Sequence, residues 1–305
     1  QIGPTEPLLF ERNDEKNLTF NSHLQLSLQL THNLHLAALG SYSYTSTENG
    51  RFAPTWVWAQ GLAYRGERKT EDILGNISLD WKYRWGINKL STTILAEYQK
   101  KKIAAFWTQV KGLTNNYFGY DNLGAASDRP YGGTGSSYAD PSLTSFMGTL
   151  TYTLLDRYTL NLTTRADGSS MVGKDHTWGI FPSISATWDM KKESFLRNNK
   201  SISLLNLRTG YGRSGNLGGI SSYLTLRQYI PVGLISYNGT PTVTMGTLRN
   251  SNPDLRWETR STFNIGTDLG LFNNRLLLTA EYYYSKTTDM LYEYDVPVPT
   301  FAFDK

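Results

Sequence analysis

Two absences set the first limits on this sequence: it has no cysteine, and it has no long apolar run. The absence of cysteine suits a cell-envelope protein that folds without disulfides, although many cytosolic proteins lack cysteine as well. No stretch approaches the roughly 18 apolar residues that a membrane-spanning helix requires. With a mean hydropathy of −0.42, the chain does not have the composition of a helical membrane protein. A β-barrel escapes this test, because alternation hides its apolar face from a window average.

A strong charge of one sign is also missing. The net charge is only +4 over 305 residues, and the basic residues are spread along the chain. The one local run, Lys100 to Lys102, lies beside Ile103 and an aromatic pair, which is more typical of a solvated loop base than of a nucleic-acid site. We therefore expect no nucleic-acid partner.

Motifs for catalysis or cofactor binding are absent or incomplete. The four histidines lack metal-ligand spacing, and the chain offers no thiol to complete a zinc site. Gly210–Gly215 matches G-x-G-x-x-G, but the residues that follow read as a loop and not as the helix that a dinucleotide requires. No G-x-S-x-G nucleophile motif occurs. We expect no catalytic residue, no bound metal and no cofactor.

What the sequence has instead is apolar–polar alternation with a period of two, which predicts strands because successive side chains point to opposite faces of a sheet. The alternation organises the stretch from Ser145 to Trp188, where apolar residues alternate with Thr, Ser, Asn, Arg and Asp. One apolar face opposite a polar one, capped by aromatic residues, is typical of a membrane barrel. The predicted strands cover residues 18–31, 34–44, 73–85, 90–99, 146–152, 158–167, 178–188, 205–212, 263–269 and 276–284.

Charged residues inside these strands test the interpretation. An Arg or Lys on a lipid-facing surface near the bilayer midplane costs about 2–4 kcal/mol. The charged mid-strand residues all fall on the polar side of their strands, so none requires a charge in lipid. They are Asp80, Lys82, Glu97, Arg165, Asp167, Arg208, Asp268 and Glu281.

The predicted connections alternate in length. Long ones at 45–72, 100–140 and 213–257, and a medium one at 168–177, are separated by short turns or by the charged connection 191–201. Within that charged connection, Phe195 and Leu196 are expected to form one helical turn. Outer-membrane barrels have short turns on one side and longer loops on the other. We therefore predict an all-β fold, an antiparallel transmembrane β-barrel segment of about ten strands.

Aromatic residues in the long connections are the candidate functional residues. Phe, Trp and Tyr make up 13% of the chain, and rings in exposed loops have no core to fill. They could stack on sugar rings or peptide side chains, or contact a partner protein. The alternative, that they pack the loops against one another, stays open. The candidates are Trp56, Trp58, Phe106, Trp107, Tyr117, Tyr120 and Tyr131.

Several segments resemble SusC/RagA-type TonB-linked outer-membrane proteins. The resemblance spans residues 145–291 and is strongest in Asn252–Thr259, which reads NPDLRWET. It is also carried by Arg165–Ser170 (RADGSS), Trp178–Trp188 (WGIFPSISATW) and Leu207–Asn216 (LRTGYGRSGN). These sequence segments, in this order and spacing, are specific to the family.

The resemblance implies a barrel of about 22 strands around an N-terminal plug. Such a protein imports oligosaccharides or peptides across the bacterial outer membrane with energy from TonB, and is not an enzyme. Its implied partners are a SusD-like surface lipoprotein that acts as a lid, TonB, and the surrounding outer-membrane lipid. We expect residues 1–305 to belong to the barrel domain, with the plug domain and the terminal barrel strands outside this chain.

Three alternatives to this function remain at this point. A passive porin-type channel would have a similar wall and no plug. A ten-stranded barrel enzyme, such as a surface protease, would close on itself and carry catalytic carboxylates at its rim. A soluble glycan-binding β-protein would be monomeric without detergent.

Overall fold

The computed structural model describes residues 10–130, 132–218, 220–247 and 249–292, and one antiparallel sheet dominates it. Ten strands follow one another across this sheet in chain order. They are β1 (Arg12–Thr31), β2 (Leu34–Ala53), β3 (Leu62–Trp85), β4 (Asn88–Leu113), β7 (Ser142–Leu154), β8 (Tyr158–Ser169), β9 (Trp178–Asp189), β10 (Ile202–Asn216), β13 (Glu258–Leu271) and β14 (Leu276–Thr288). The predicted all-β antiparallel architecture is confirmed.

Four further strands lie in the long connections. Two short ones, β5 (Ala126–Asp128) and β6 (Thr134–Ala139), pair with β4. The other two, β11 (Tyr229–Tyr237) and β12 (Thr240–Thr247), form a separate hairpin. The predicted helical turn is present as α1 (Ser194–Arg197). Within the described ranges, no helix has the length and apolar character needed to cross a membrane.

The strand register sorts side chains into two faces, because paired residues of neighbouring strands lie on the same side of a sheet. One row crosses nine strands with mainly apolar residues, namely Leu34, Trp81, Thr92, Leu150, Leu162, Ile184, Tyr211, Phe263 and Tyr284. A row on the opposite side crosses ten strands with mainly polar residues, namely Gln29, His35, Asp80, Thr93, Thr149, Thr163, Ser183, Gly212, Thr262 and Ser285. We call these sides the apolar face and the polar face.

The apolar face is not covered by any other part of the described chain. Leu24 is 66% exposed, Ile94 60% and Ile180 65%, although such residues are normally buried in a core. Soluble proteins rarely expose a continuous apolar surface of this extent. The buried cluster of the molecule lies instead at one end of the sheet, around Ala63 and Val110.

Aromatic pairs mark both ends of the apolar face. Trp178 stacks on Phe146 at 6.0 Å at one end, and Trp188 stacks on Tyr158 at 6.1 Å at the other. The two tryptophans are ten residues apart on β9, which at about 3.3 Å per residue and a tilt of about 40° gives a belt about 25 Å tall. A further stack at the Trp188 end consists of Trp81, Tyr83 and Trp85. The belt height of about 25 Å matches the apolar band of a membrane barrel.

The strands are longer than predicted at one end of the sheet. β1 begins at Arg12, β2 runs to Ala53, β3 starts at Leu62 and β4 reaches Leu113, so much of the predicted connections 45–72 and 100–140 is strand. Beyond the belt, both faces of these strands carry polar residues. The hydrophobic alternation therefore stops there, although the hydrogen-bonded ladder continues.

The predicted alternation in the length of the connections is confirmed in part, since the connection 190–201 is longer than 54–61 and 170–177. Turns at 32–33, 86–87, 155–157 and 272–275 and the helical connection 190–201 lie at the Trp188 end, which we call the short-turn end. The connections 54–61, 114–141, 170–177 and 217–257 lie at the opposite, long-loop end. The candidate functional residues that the structure describes lie at this second end.

Candidate functional site

The polar face carries a network of ion pairs centred on Arg165. Its Nε donates to Asp167 Oδ1 at 2.7 Å, and its Nη2 donates to Glu97 Oε1 at 3.2 Å and to Ser145 Oγ at 2.8 Å. Ser145 is fully buried beneath this network and Asp167 is only 8% exposed. The contacts join β4, β7 and β8, so the network fixes the register of three strands.

A second charge pair on the polar face joins β10 to β13. Arg208 donates to Asp268 from Nε at 2.8 Å and from Nη2 at 3.1 Å, the two-pronged geometry that suits guanidinium and carboxylate. Asp268 also accepts from Thr279 Oγ1 at 3.1 Å. In both networks the charges pair with each other along the polar face, and the apolar belt contains none of them.

Beyond the belt, β1 to β4 continue toward the long-loop end. Tyr120 lies against the side that continues the apolar face, which we call the outer side. Its ring covers Gly50, where a Cβ atom would lie 2.6 Å from the ring. Its hydroxyl donates to Asp14 Oδ2 at 2.5 Å and accepts from Arg12 Nη2 at 3.2 Å, and the Arg12 guanidinium lies 5.0 Å from the ring centroid. The bond from the hydroxyl holds the pKa of the Asp14 carboxyl below its ordinary value. Tyr120 therefore attaches the connection after β4 to β1 and β2.

A cavity of about 610 Å³ lies beside Tyr120. Phe106, which is half exposed, contributes its ring to the lining. The charged lining residues are five acids, Asp14, Glu15, Glu48, Glu67 and Asp121, and two bases, Lys16 and Arg65. Because acidic groups outnumber basic ones, the lining disfavours an anionic ligand.

Trp58 and Trp56 lie in the connection between β2 and β3, as predicted, and both contact the segment before β1. Trp58 Nε1 donates to Glu11 Oε1 at 2.5 Å, and this bond lowers the pKa of Glu11. Glu11 also pairs with Arg51 at 3.2 Å. The Trp56 ring meets Phe10 edge to face at 6.1 Å. These contacts tie the connection to the chain before β1.

The two remaining candidates of the connection after β4 are Tyr117 and Tyr131. Tyr117 is 89% exposed, and its ring contacts Phe118 edge to face at 5.4 Å. Its surface therefore remains open to a ligand or partner. Tyr131 lies outside the described residues.

The prediction that Phe106 and Trp107 lie in a loop is wrong. Both are in β4, so their side chains point to opposite sides of the sheet. Phe106 is on the outer side with Tyr120, whereas Trp107 is on the polar face, paired with Gly66 of β3 and Gly135 of β6. The sequence does not reveal the strand because both of its sides are apolar from Ile103 to Trp107, so the apolar–polar alternation is lost.

Tyr64 is a neighbour of Trp107 that the sequence did not single out. Its hydroxyl lies over Gly66, where a Cβ atom would be 2.5 Å from Tyr64 Oη. Tyr64 and Trp107 thus flank the same glycine on the polar face. Only the pairing of β3 with β4 reveals this proximity, since the two aromatic residues are far apart in sequence.

The segment that reads NPDLRWET forms a clasp between two long connections. Gly173 N donates to Leu255 O at 2.7 Å, and Trp257 Nε1 donates to Thr177 O at 3.2 Å. The Trp257 ring meets Phe181 at 5.5 Å, and Leu255 is 8% exposed. These contacts bind the connection 217–257 to the connection 170–177. The segment's most distinctive residues are therefore used in packing.

The hairpin of β11 and β12 projects from the same connection. It has no charged residue from Tyr229 to Thr247, and apolar side chains such as Leu234 and Met245 are 52% and 57% exposed. Uncharged surfaces with Tyr, Met and aliphatic residues are typical of the centre of protein interfaces. The hairpin is a candidate surface for a protein partner.

No metal-binding arrangement is found in the part of the chain that the structure describes, where no three His, Cys, Asp or Glu side chains are grouped to hold an ion. Arg165 and Arg208 of the polar face are engaged in the ion pairs given above. Chemically, the arrangement offers a hydrated polar surface with hydrogen-bonding side chains and aromatic rings. Such a surface can bind or guide a polar solute.

Comparison with known proteins gives a family and several relatives. The sequence model described as TonB dependent receptor-like, beta-barrel, matches residues 3–304. TonB-dependent receptor P3 of Formosa agariphila is 31% identical over 95% of this chain and 29% of its own length. TonB-dependent receptor SusC of Bacteroides thetaiotaomicron is 38% identical over 52% of this chain and 16% of its own length. The chain thus spans less than a third of these relatives.

Among solved structures, the fold is similar to a chain of the RagAB peptide transporter. The TM-score is 0.81 at 22% identity, and the match covers 96% of this chain and 32% of that one. At this identity the likeness concerns the fold. It agrees with a sheet that is one part of a larger barrel wall.

Proposed function

This chain belongs to the TonB-dependent receptor β-barrel family, and from that premise we propose that it forms part of the wall of an outer-membrane importer. The apolar face contacts lipid, the polar face lines the lumen, and the long-loop end faces the outside of the cell. Residues 1–305 belong to the barrel domain, and the plug domain is supplied by sequence outside this chain. Transport is driven by TonB.

The observation that carries this proposal is the pair of opposed rows across the sheet. A mainly apolar row and a mainly polar row each cross nine or more strands, and the aromatic pairs bound a belt about 25 Å tall. A soluble sheet with this much exposed apolar surface would aggregate. Lipid on one side and water on the other resolves that difficulty.

The cargo that we propose is an oligosaccharide or a peptide. The candidate aromatic residues Trp56, Trp58, Phe106, Trp107, Tyr117, Tyr120 and Tyr131 mark the region of contact with cargo or partner. Trp107 and Tyr117 are the favoured contacts, since both keep accessible ring surface. Tyr120 and Trp58 support the region by packing.

The partner that we propose is a SusD-like surface lipoprotein that closes over the long-loop end. The uncharged hairpin of β11 and β12 supports this, because its exposed apolar residues suit a protein surface better than water. The clasp that anchors the connection gives the hairpin a firm base.

An uptake experiment tests the proposal. Cells that carry the full-length gene should take up labelled oligosaccharides or peptides in a saturable manner. Uptake should be lost when either this gene or TonB is deleted, and the purified protein should bring with it a lipoprotein identified by mass spectrometry. Gene-dependent uptake that persists without TonB would contradict the proposal and favour a passive channel.

A further inference from the structure

Trp107 lies on the polar face between glycines of both neighbouring strands. It pairs with Gly66 of β3 and with Gly135 of β6. A Cβ atom on Gly135 would lie 2.4 Å from Trp107 Cζ2, so the indole occupies the space above that glycine. On the other side, Tyr64 Oη occupies the space above Gly66. The two side chains therefore lie on the same face of neighbouring strands, Trp107 above Gly135 of β6 and Tyr64 above Gly66 of β3.

Polar side chains surround these two rings. Asn49 pairs with Gly66, Gln109 pairs with Tyr64, and Arg68 follows two positions along β3 on the same face. Within the described ranges, none of these three side chains forms a hydrogen bond or ion pair with another residue, and neither do the Trp107 indole N–H and the Tyr64 hydroxyl. Donors and acceptors are thus available around an aromatic surface.

We propose that these residues, Trp107, Tyr64, Asn49, Arg68 and Gln109, form a carbohydrate-binding subsite in the vestibule of the barrel. We call it the Trp107 platform. The aliphatic C–H groups of a sugar ring carry partial positive charge and pack on the negative face of an aromatic ring. Sugar hydroxyls exchange hydrogen bonds with amide and guanidinium groups at the edge. This inference rests on the proposed function, and it selects oligosaccharides over peptides as the cargo.

The backbone of β4 at the platform has no unpaired edge. Peptides bound in extended form add a strand to a free sheet edge. At Trp107, β4 is paired with β3 on one side and with β6 on the other, so its backbone groups are already used. A ligand above Trp107 therefore meets side chains and a ring face, the kind of surface on which a sugar ring packs.

A calorimetric titration with matched variants tests the platform. The full-length protein in detergent is titrated with neutral hexasaccharides of α-glucan, β-glucan, β-mannan, β-galactan and β-xylan, and with a pool of uncharged hexapeptides. We expect at least one hexasaccharide to bind. Trp107→Ala removes the ring, and Gly135→Val pushes it off the sheet while keeping it present. Each should weaken that binding about tenfold.

Two control variants leave the platform intact. Tyr138→Ala removes an exposed ring from the other face of β6, and Gly148→Val adds a side chain where the structure has open space. Both should bind the hexasaccharide as the wild type does. Heat-modifiable migration on gels checks that every variant is folded.

The outcomes separate this inference from the proposed function. If no hexasaccharide binds the wild type, or if Trp107→Ala and Gly135→Val both bind like the wild type, the platform is refuted. TonB-dependent uptake of a peptide by the same protein would then leave the proposed function standing. If the wild-type protein supported no TonB-dependent uptake of any cargo, the proposed function itself would be contradicted.

Discussion

Tyr120 illustrates a loop aromatic residue that packs against other parts of its own chain. Its hydroxyl bonds to Asp14 and Arg12, and its ring covers Gly50. Tyr120→Phe removes the hydroxyl alone, so the connection 114–125 should open more often. We expect amide hydrogen exchange in that connection to accelerate about fivefold, since the lost bond is to a charged group.

Tyr117→Phe is the matched control for this prediction. Tyr117 is 89% exposed and its ring meets only Phe118 among the ring contacts of the described residues. Its variant should exchange at the wild-type rate. Equal exchange in both variants would show that the Tyr120 hydroxyl does not hold the connection.

Glu193 is the residue whose protonation should affect the short-turn end. It is 8% exposed and accepts bonds from Tyr158 Oη at 2.5 Å, Trp188 Nε1 at 3.1 Å and Arg157 Nη1 at 3.0 Å. The bond from Tyr158, followed by the bond from Trp188, lowers the pKa of Glu193 below its ordinary 4.5. A carboxyl with a depressed pKa stabilises the fold above its ordinary pKa, and this contribution disappears as pH falls through the depressed value.

Glu193→Gln therefore gives a pH-dependent prediction. At neutral pH the variant should unfold a few degrees below the wild type, because Gln keeps an acceptor but loses the charge. The gap should narrow as the pH falls below the ordinary pKa of 4.5 and should close only below the depressed pKa, where the carboxyl of the folded wild type is itself neutral. Thermal unfolding across this range measures it, and a gap that does not change with pH would contradict the assignment.

At the scale of elements, the clasp positions the connection between β10 and β13. A Cβ atom on Gly173 would lie 2.0 Å from the backbone oxygen of Pro253, and a backbone atom cannot rotate away as a side chain can. Gly173→Ala should therefore separate the clasp and expose residues 249–257. We expect faster hydrogen exchange there and earlier proteolysis in the connection 217–257.

Gly148→Ala is the matched control for the clasp. No atom lies within 4 Å of the Cβ position at Gly148, so the same chemical change should leave exchange at 249–257 unaltered. If Gly173→Ala behaves like this control, the connection is not held by the clasp.

Strand boundaries were predictable within the lipid-facing belt and less so beyond it, where water contacts both sides of the sheet. β8 and β9 lie mostly within the belt, and the predicted ranges 158–167 and 178–188 end within two residues of the observed strands. Lipid on one side forces a strict alternation there. Beyond the belt, β2 and β3 have polar residues on both sides, and β4 is apolar on both sides from Ile103 to Trp107. The alternation therefore disappears although the pairing continues.

The same reason limits prediction of the candidate site. Aromatic content points to the long-loop end of the chain, but the prediction that Phe106 and Trp107 lie in a loop is wrong. Their separation onto opposite sides follows from a strand that hydrophobicity does not reveal. The partnership of Trp107 with Tyr64 and Gly135 depends on strand register, which brings distant segments together.

At the scale of the whole molecule, the sheet acts as a boundary between two media. The polar side holds the ion pairs of Arg165 and Arg208, and the other side holds exposed Leu, Ile and aromatic residues. A one-residue shift of any strand would exchange these sides and place charge against lipid. The register is therefore the property on which transport through this wall depends.

The most direct test of this account is the accessibility of spin labels along β9 in the membrane-inserted protein. The chain has no cysteine, so each introduced thiol reports one site within it. The variants are Ser183→Cys, Ile184→Cys, Ser185→Cys and Ala186→Cys. Labels at 184 and 186 should collide mainly with oxygen dissolved in lipid, and labels at 183 and 185 mainly with a water-soluble nickel chelate. Four sites with the same accessibility, or the reverse alternation, would contradict the account.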